Sequence, residues 1–144
     1  MGGQAAAALV TIGHNFGESV EFLSGILQLS HSGCVRLVDK LHEQDLIERR
    51  PGKDKRSVAL YLTEAGQRRK RDVLRARRDA LNSVFDTLDT GQQDQFVSLM
   101  EVMLQAITSN KSDADIICRL CEERDCAQAR CPVTLGSIAN CSMR

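Results

Sequence analysis

The feature that most restricts this chain's fold is a change of hydrophobic period near its middle. Over residues 56–62, Val58, Leu60 and Leu62 alternate with Ser57, Ala59 and Tyr61, the two-residue repeat of a half-buried strand. Residues 46–50 read as a second strand, and Pro51-Gly52-Lys53-Asp54-Lys55 between them as a charged turn. The segments on either side repeat instead at three and four residues, the spacing of helices. A lone two-stranded hairpin is barely stable in water. It must therefore lean on the helices around it, and the expected class is mainly α with a small β-hairpin.

The helical segments can be delimited by their caps. Ala, Leu, Val and Ile dominate residues 5–12 and predict a short buried helix, ended by Gly13 and the His14-Asn15-Phe16-Gly17 turn. Ser19 is placed to cap a second helix, with Glu21 near its positive end and Val20, Leu23, Ile26 and Leu27 on one face. Gln28-Leu29-Ser30 breaks that helix, and Ser30 caps a third reaching about Gln44. In the third helix Cys34, Leu37, Val38 and Leu41 form an apolar back, while Ser32, Val35, Arg36, Asp39 and Lys40 form a polar front. Two short helices on a tight turn, followed by a hairpin, make a winged helix-turn-helix.

Downstream, Thr63 is a cap for a long helix to about Leu88. Its stripe of Val73, Leu74, Ala80, Leu81, Val84, Phe85 and Leu88 requires a partner surface. Asp89-Thr90-Gly91 interrupts the chain, and a further helix from about Gln92 carries Phe96, Leu99, Met100, Met103, Leu104 and Ile107. These long helices can pack on each other, on the winged part or on a second copy of the chain. The expected division is residues 1–62 for the winged helix-turn-helix, 63–109 for long dimerisation helices and 110–144 for a Cys-rich tail.

Charge sharpens this picture. The 144 residues carry 19 Lys and Arg against 19 Asp and Glu, but the balance is local. Residues 36–78 hold 14 bases and 7 acids, whereas residues 1–35 hold two acids and no base, and residues 79–144 hold 5 bases and 10 acids. A basic block between acidic flanks suits a surface that meets polyanions; a solvated helix face is the plainer explanation. The apolar run at residues 5–12 is far shorter than the roughly 20 residues of a bilayer-spanning helix. The first basic residue is Arg36, unlike a secretory leader, so the expected location is cytoplasmic. Five aromatics are too few for the stacking platforms of single-strand binders. No Ser/His/Asp arrangement or glycine-rich phosphate loop suggests an enzyme.

The order of four pieces is more specific than any one of them. The run 29–41 (Leu-Ser-His-Ser-Gly-Cys-Val-Arg-Leu-Val-Asp-Lys-Leu), then Leu46-Ile47-Glu48-Arg49-Arg50, then Asp54-Lys55-Arg56, then Leu62-Thr63-Glu64-Ala65-Gly66, resembles the multiple-antibiotic-resistance repressor (MarR) family of winged-helix transcriptional regulators. The resemblance spans roughly residues 4–108. It implies a homodimer that binds a near-palindromic site on double-stranded DNA and releases it on meeting a small-molecule effector, metal or oxidant. Matched by position, Ser32, Val35 and Arg36 would face base edges or nearby backbone, Arg36 being suited to grip guanine. Ser30 and His31 would meet phosphate, with Lys40 on the same front. Arg49, Arg50, Lys53 and Lys55 would add phosphate contacts. Arg56 corresponds to the family's wing arginine and Asp54 to the carboxylate that orients it. The family's usual first helix, ahead of residue 4, has no counterpart here.

After Lys111 the sequence changes character. Cys118-x2-Cys121-x4-Cys126-x4-Cys131-Pro132 places four thiols within fourteen residues. In a reducing compartment such a cluster points to a tetrahedral zinc site or an iron–sulfur cluster, to a thiol switch, or to plain packing of a small docking helix that includes Ile116, Ile117 and Leu120. Cys34, on the apolar back of the third helix, is expected to pack as a small hydrophobe. The rival to a DNA-binding regulator is a metal- or redox-binding adaptor whose working part is this tail.

Overall fold

The structure is a computed structural model and describes residues 2–52, 57–122, 126 and 128–141. It forms two compact units, Met1–Leu74 and Arg75–Arg144. The first contains helices α1 (Gly3–His14), α2 (Val20–Leu27) and α3 (His31–Glu43), the antiparallel strands β1 (Ile47–Pro51) and β2 (Val58–Leu62), and the first half of α4 (Glu64–Phe85). The second contains the rest of α4, then α5 (Thr90–Ile107), α6 (Lys111–Cys118), a single 3-10 turn (Gln128–Arg130) and α7 (Pro132–Cys141).

In the first unit the core follows the apolar faces read from the sequence. Leu9, Val10, Leu23, Cys34, Val38, Leu41, Ile47 and Leu60 are all essentially sealed from solvent. The expected caps are in place. The hydroxyl of Ser19 accepts the amide of Phe22 at 3.2 Å, and that of Ser30 accepts the amide of Gly33 at 3.2 Å. The α2–α3 turn closes at Gln28, whose φ of 53° lets the amide of Leu29 reach back to the Ser24 carbonyl at 3.0 Å. Asp45, at φ 56°, ends α3 by the same device, with the Leu46 amide on the Leu41 carbonyl.

The hairpin pairs Ile47 with Leu62, Arg49 with Leu60 and Pro51 with Val58. Strict alternation along β2 fails, which corrects the period-two reading. Ala59 is buried beside Leu60, and Val58 is 43% exposed. The reason is that β2 is not a free edge: the Gly17 amide donates to the Leu60 carbonyl at 2.9 Å, and the Leu60 amide to the Glu18 carbonyl at 3.0 Å. The loop after α1 covers the outer side of the strand.

The Leu-Thr-x-x-Gly segment has a mechanical role at the start of α4. Thr63 donates through its amide to the Leu46 carbonyl and through its hydroxyl to the Asp45 carbonyl, while the same hydroxyl accepts the amide of Gly66. A Cβ at residue 66 would lie 1.9 Å from the Leu46 carbonyl oxygen. Only glycine permits α4 to start this close to the end of α3.

The second unit is built differently. Helix α4 ends at Phe85, short of the expected Leu88. The interruption read at 89–91 is a helix start: Asp89 and Gln92 form a reciprocal capping box, so Thr90 and Gly91 lie inside α5. The apolar stripes of the two long helices stay largely uncovered, with Val84 70%, Leu99 65% and Val102 68% exposed. Helix α7, absent from the sequence reading, packs on α5 and α6. Gly136 makes this possible, because a Cβ there would sit 2.5 Å from the Gln105 carbonyl oxygen. Among the described residues, no helix is long and apolar enough to cross a membrane.

Candidate nucleic-acid interface

Helix α3 turns the residues expected on its front toward solvent. Ser30, His31, Ser32, Arg36 and Lys40 are exposed, and Val35 and Asp39 are half-buried at the margin of the face. Among the described residues, Arg36 and Lys40 make no ion pair, so both cations are available to an incoming anion. His31 bonds through Nδ1 to a Glu21 carboxylate oxygen at 3.1 Å, which fastens the start of α3 to α2. Cys34 faces the other way, fully buried with its thiol on the Val20 carbonyl, and burial pushes its pKa up. It packs as expected.

The hairpin joins this front through one side chain. Arg49, on β1, donates to the carboxylate of Asp39. Asp39 lies three residues after Arg36 and one before Lys40, so the pair places the hairpin's arginine against the basic front of α3. Arg50 pairs with Glu48 and stacks its guanidinium 4.5 Å from the centre of the Tyr61 ring. Neither the Asp39 partner nor the Tyr61 platform could be read before the hairpin register was known. Lys53, Asp54, Lys55 and Arg56, the expected wing tip, lie outside the described residues.

Behind the front, a cleft of about 500 Å³ opens among α1, α3 and α4. Leu37, Lys40 and Gln44 form one wall, with Gln4 and Arg69 opposite.

A family model described as MarR family matches residues 1–57, which take in α1 to α3 and β1 and stop short of β2. The N-terminal winged-helix region is thus similar to the MarR family. The transcriptional repressor MprA of Escherichia coli K12 is 28% identical over 113 residues, covering 76% of this chain and 64% of its own length. The chain therefore spans less than two thirds of that relative's length. Solved structures share the fold. Streptococcus pneumoniae FabT, crystallised in complex with DNA, superposes with a TM-score of 0.64 at 18% identity, over 73% of this chain and 74% of its own. A MarR transcriptional regulator from Methanosarcina mazei Go1 gives 0.62 at 23% identity, over 74% and 77%.

The four tail thiols come from separate elements of the second unit. Cys118 ends α6, Cys121 closes a turn by donating its amide to the Cys118 carbonyl at 2.8 Å, and Cys131 immediately precedes α7, accepting the Leu135 amide on its own carbonyl. The thiols form two hydrogen-bonded pairs, Cys118 with Cys121 and Cys126 with Cys131. Cys118 is held well above the usual thiol range by that bond to Cys121, by burial, and by the negative charge the other three would carry. Burial would also raise Cys131, but the amides of Thr134 and Val133, the Thr134 hydroxyl and the Cys126 thiol outweigh it and bring the group below the usual range. Among the described residues, no three His, Cys, Asp or Glu side chains are gathered closely enough to hold an ion as they stand.

Proposed function

We propose that the chain is a sequence-specific double-stranded DNA-binding transcriptional regulator that works as a homodimer on a near-palindromic operator. The observation that carries this reading is the Asp39–Arg49 ion pair, which fastens the hairpin's arginine to the α3 front that also carries Arg36 and Lys40. A helix of this kind fits the major groove, and a hairpin beside it reaches the flanking phosphates. Arg36 reads guanine, while Lys40, Arg49 and Arg50 contact phosphate. The pairs to Asp39 and Glu48 are solvent-exposed and worth at most about 1 kcal/mol each, so a phosphate can displace the carboxylates. Two copies are needed to read two half-sites, and the uncovered stripes of α4 and α5 supply apolar surface for that pairing.

Release follows from the cleft behind α3. Its volume of about 500 Å³ suits a small effector. Lys40 and Arg69 favour an anionic one, and a ligand that drew Lys40 inward would remove a cation from the DNA surface.

The test is a gel-shift series with the protein and the DNA upstream of its own gene, at fixed salt. Arg36→Ala should weaken operator binding by about 1–3 kcal/mol and erase the preference over random DNA. Affinity of the parent should fall by about three to five orders of magnitude between low and physiological salt. Unchanged operator affinity in Arg36→Ala would overturn the reading in favour of an adaptor that works through its tail.

A further inference from the structure

The ion pair between α2 and α3 fixes more than the angle of the two helices. The Glu21 carboxylate holds Nδ1 of His31 at 3.1 Å, and the two side chains are 82% and 63% exposed. A pair so open to solvent contributes little to stability. Its effect is on the protons of the ring. An ionised carboxylate can only accept, so Nδ1 must donate, and the neutral ring then keeps a bare lone pair on Nε2. His31 opens α3 on the row that continues through Val35 to Asp39, the carboxylate bound by Arg49. The ring therefore stands at the head of the front that carries Arg36 and Lys40. Glu21 is the one charged residue of α2, and α3 carries none between His31 and Arg36. On β1, also packed against α3, Arg49 and Arg50 are paired to Asp39 and Glu48. His14, the titratable residue of α1, lies against Lys70 of α4.

We propose that Glu21 makes His31 a proton-linked phosphate contact, so that the chain binds double-stranded DNA more tightly as pH falls. The inference rests on the reading of α3 as the DNA-facing helix. Groups at a helix start commonly meet phosphate oxygens. With Nδ1 committed to Glu21, such an oxygen meets the Nε2 lone pair of the neutral ring, and two acceptors repel. The contact forms only once Nε2 has taken a proton from solvent. The ring is then a cation that donates from both nitrogens, to Glu21 on one side and to phosphate on the other. Binding thus consumes one proton for each His31 engaged. The contact is present at low pH and lost as pH rises, and histidine is the side chain whose charge changes between about pH 5 and 8. Glu21 is a positioning residue: it decides which nitrogen is left for the DNA and does not touch the DNA itself.

The experiment titrates labelled DNA from upstream of the chain's own gene with the full chain, read by fluorescence anisotropy at fixed ionic strength from about pH 6 to about pH 8. Affinity of the parent should fall about tenfold for each copy engaged, the worth of one charge-assisted hydrogen bond, and about a hundredfold for a dimer. His31→Gln should lose this slope, because an amide donates without titrating. Glu21→Gln should lose it too, because its amide can donate to Nδ1 and leave the neutral ring with a proton on Nε2 for the phosphate. Loss of a merely structural ion pair would lower affinity equally at every pH and keep the slope. The inference is overturned if the parent binds the operator equally well at both ends of the range, or if either variant keeps the parent's slope. A parent that binds no operator at any pH would instead overturn the DNA-binding reading of α3, and this contact with it.

Discussion

Gly66 allows a test in which local propensity and tertiary structure predict opposite signs. In an ordinary helix, alanine is more stable than glycine by about 1 kcal/mol. Here the added methyl would meet the Leu46 carbonyl at 1.9 Å, where carbon and oxygen tolerate no less than about 3.3 Å. The start of α4 must therefore retreat from the end of α3 by more than an ångström. That movement breaks two bonds, from the Thr63 amide to Leu46 at 3.2 Å and from the Thr63 hydroxyl to Asp45 at 2.6 Å. Each is worth about 1 kcal/mol, and overpacking adds about 1–3 kcal/mol. After the gain in propensity, Gly66→Ala should lose about 2–4 kcal/mol. Gly25→Ala is the matched control, since nothing lies within 4 Å of its missing Cβ; it should gain about 0.5–1 kcal/mol. Urea unfolding followed by helical circular dichroism should move the two midpoints in opposite directions, Gly66→Ala downward by about 1–2 M. A Gly66→Ala protein as stable as its parent would refute the account of the α3–α4 junction.

Two further outcomes bear on the second unit. Leu99→Glu with Val102→Glu places charge on the uncovered α5 stripe and should convert a dimer to a monomer in sedimentation equilibrium; a variant that remains dimeric would locate the interface elsewhere. With its thiols reduced, Cys131 should be alkylated before Cys34 and Cys118 as pH is raised, because its thiolate is favoured below the ordinary range, whereas burial opposes ionisation of Cys34 and the bond to Cys121 opposes that of Cys118. Peptide mass mapping gives the order, and a Cys34 that reacts ahead of Cys131 would contradict the environments described for both.

What could be read from sequence was the chemistry that acts over a few residues. Ser19, Ser30 and Thr63 bond to amides three positions ahead, so their role is visible in the local string alone. The apolar back of α3 was legible for the same reason. Contacts between distant segments were not. Arg49 finds Asp39 only after the hairpin folds against α3, and Ala59 is buried because residues 17–18 cover β2, which no alternation along the strand can disclose. Helix α7 went unread in a segment that contains Pro132 and Gly136. Proline is nonetheless tolerated in a helix's first turn, and the glycine is required by the approach to Gln105. Gly91 misled similarly, since the Asp89–Gln92 box starts α5 around it.

The coverage of β2 by residues 17–18 bears on solubility at high concentration. A naked strand edge is a template on which further chains can add. Here the outward amide and carbonyl of Leu60 are already taken by Glu18 and Gly17, so polymerisation through that side of the hairpin would first require peeling the loop away. The same stitching makes this loop a control point for the wing: disturbing the turn between α1 and α2 would reposition the hairpin without altering any residue in it.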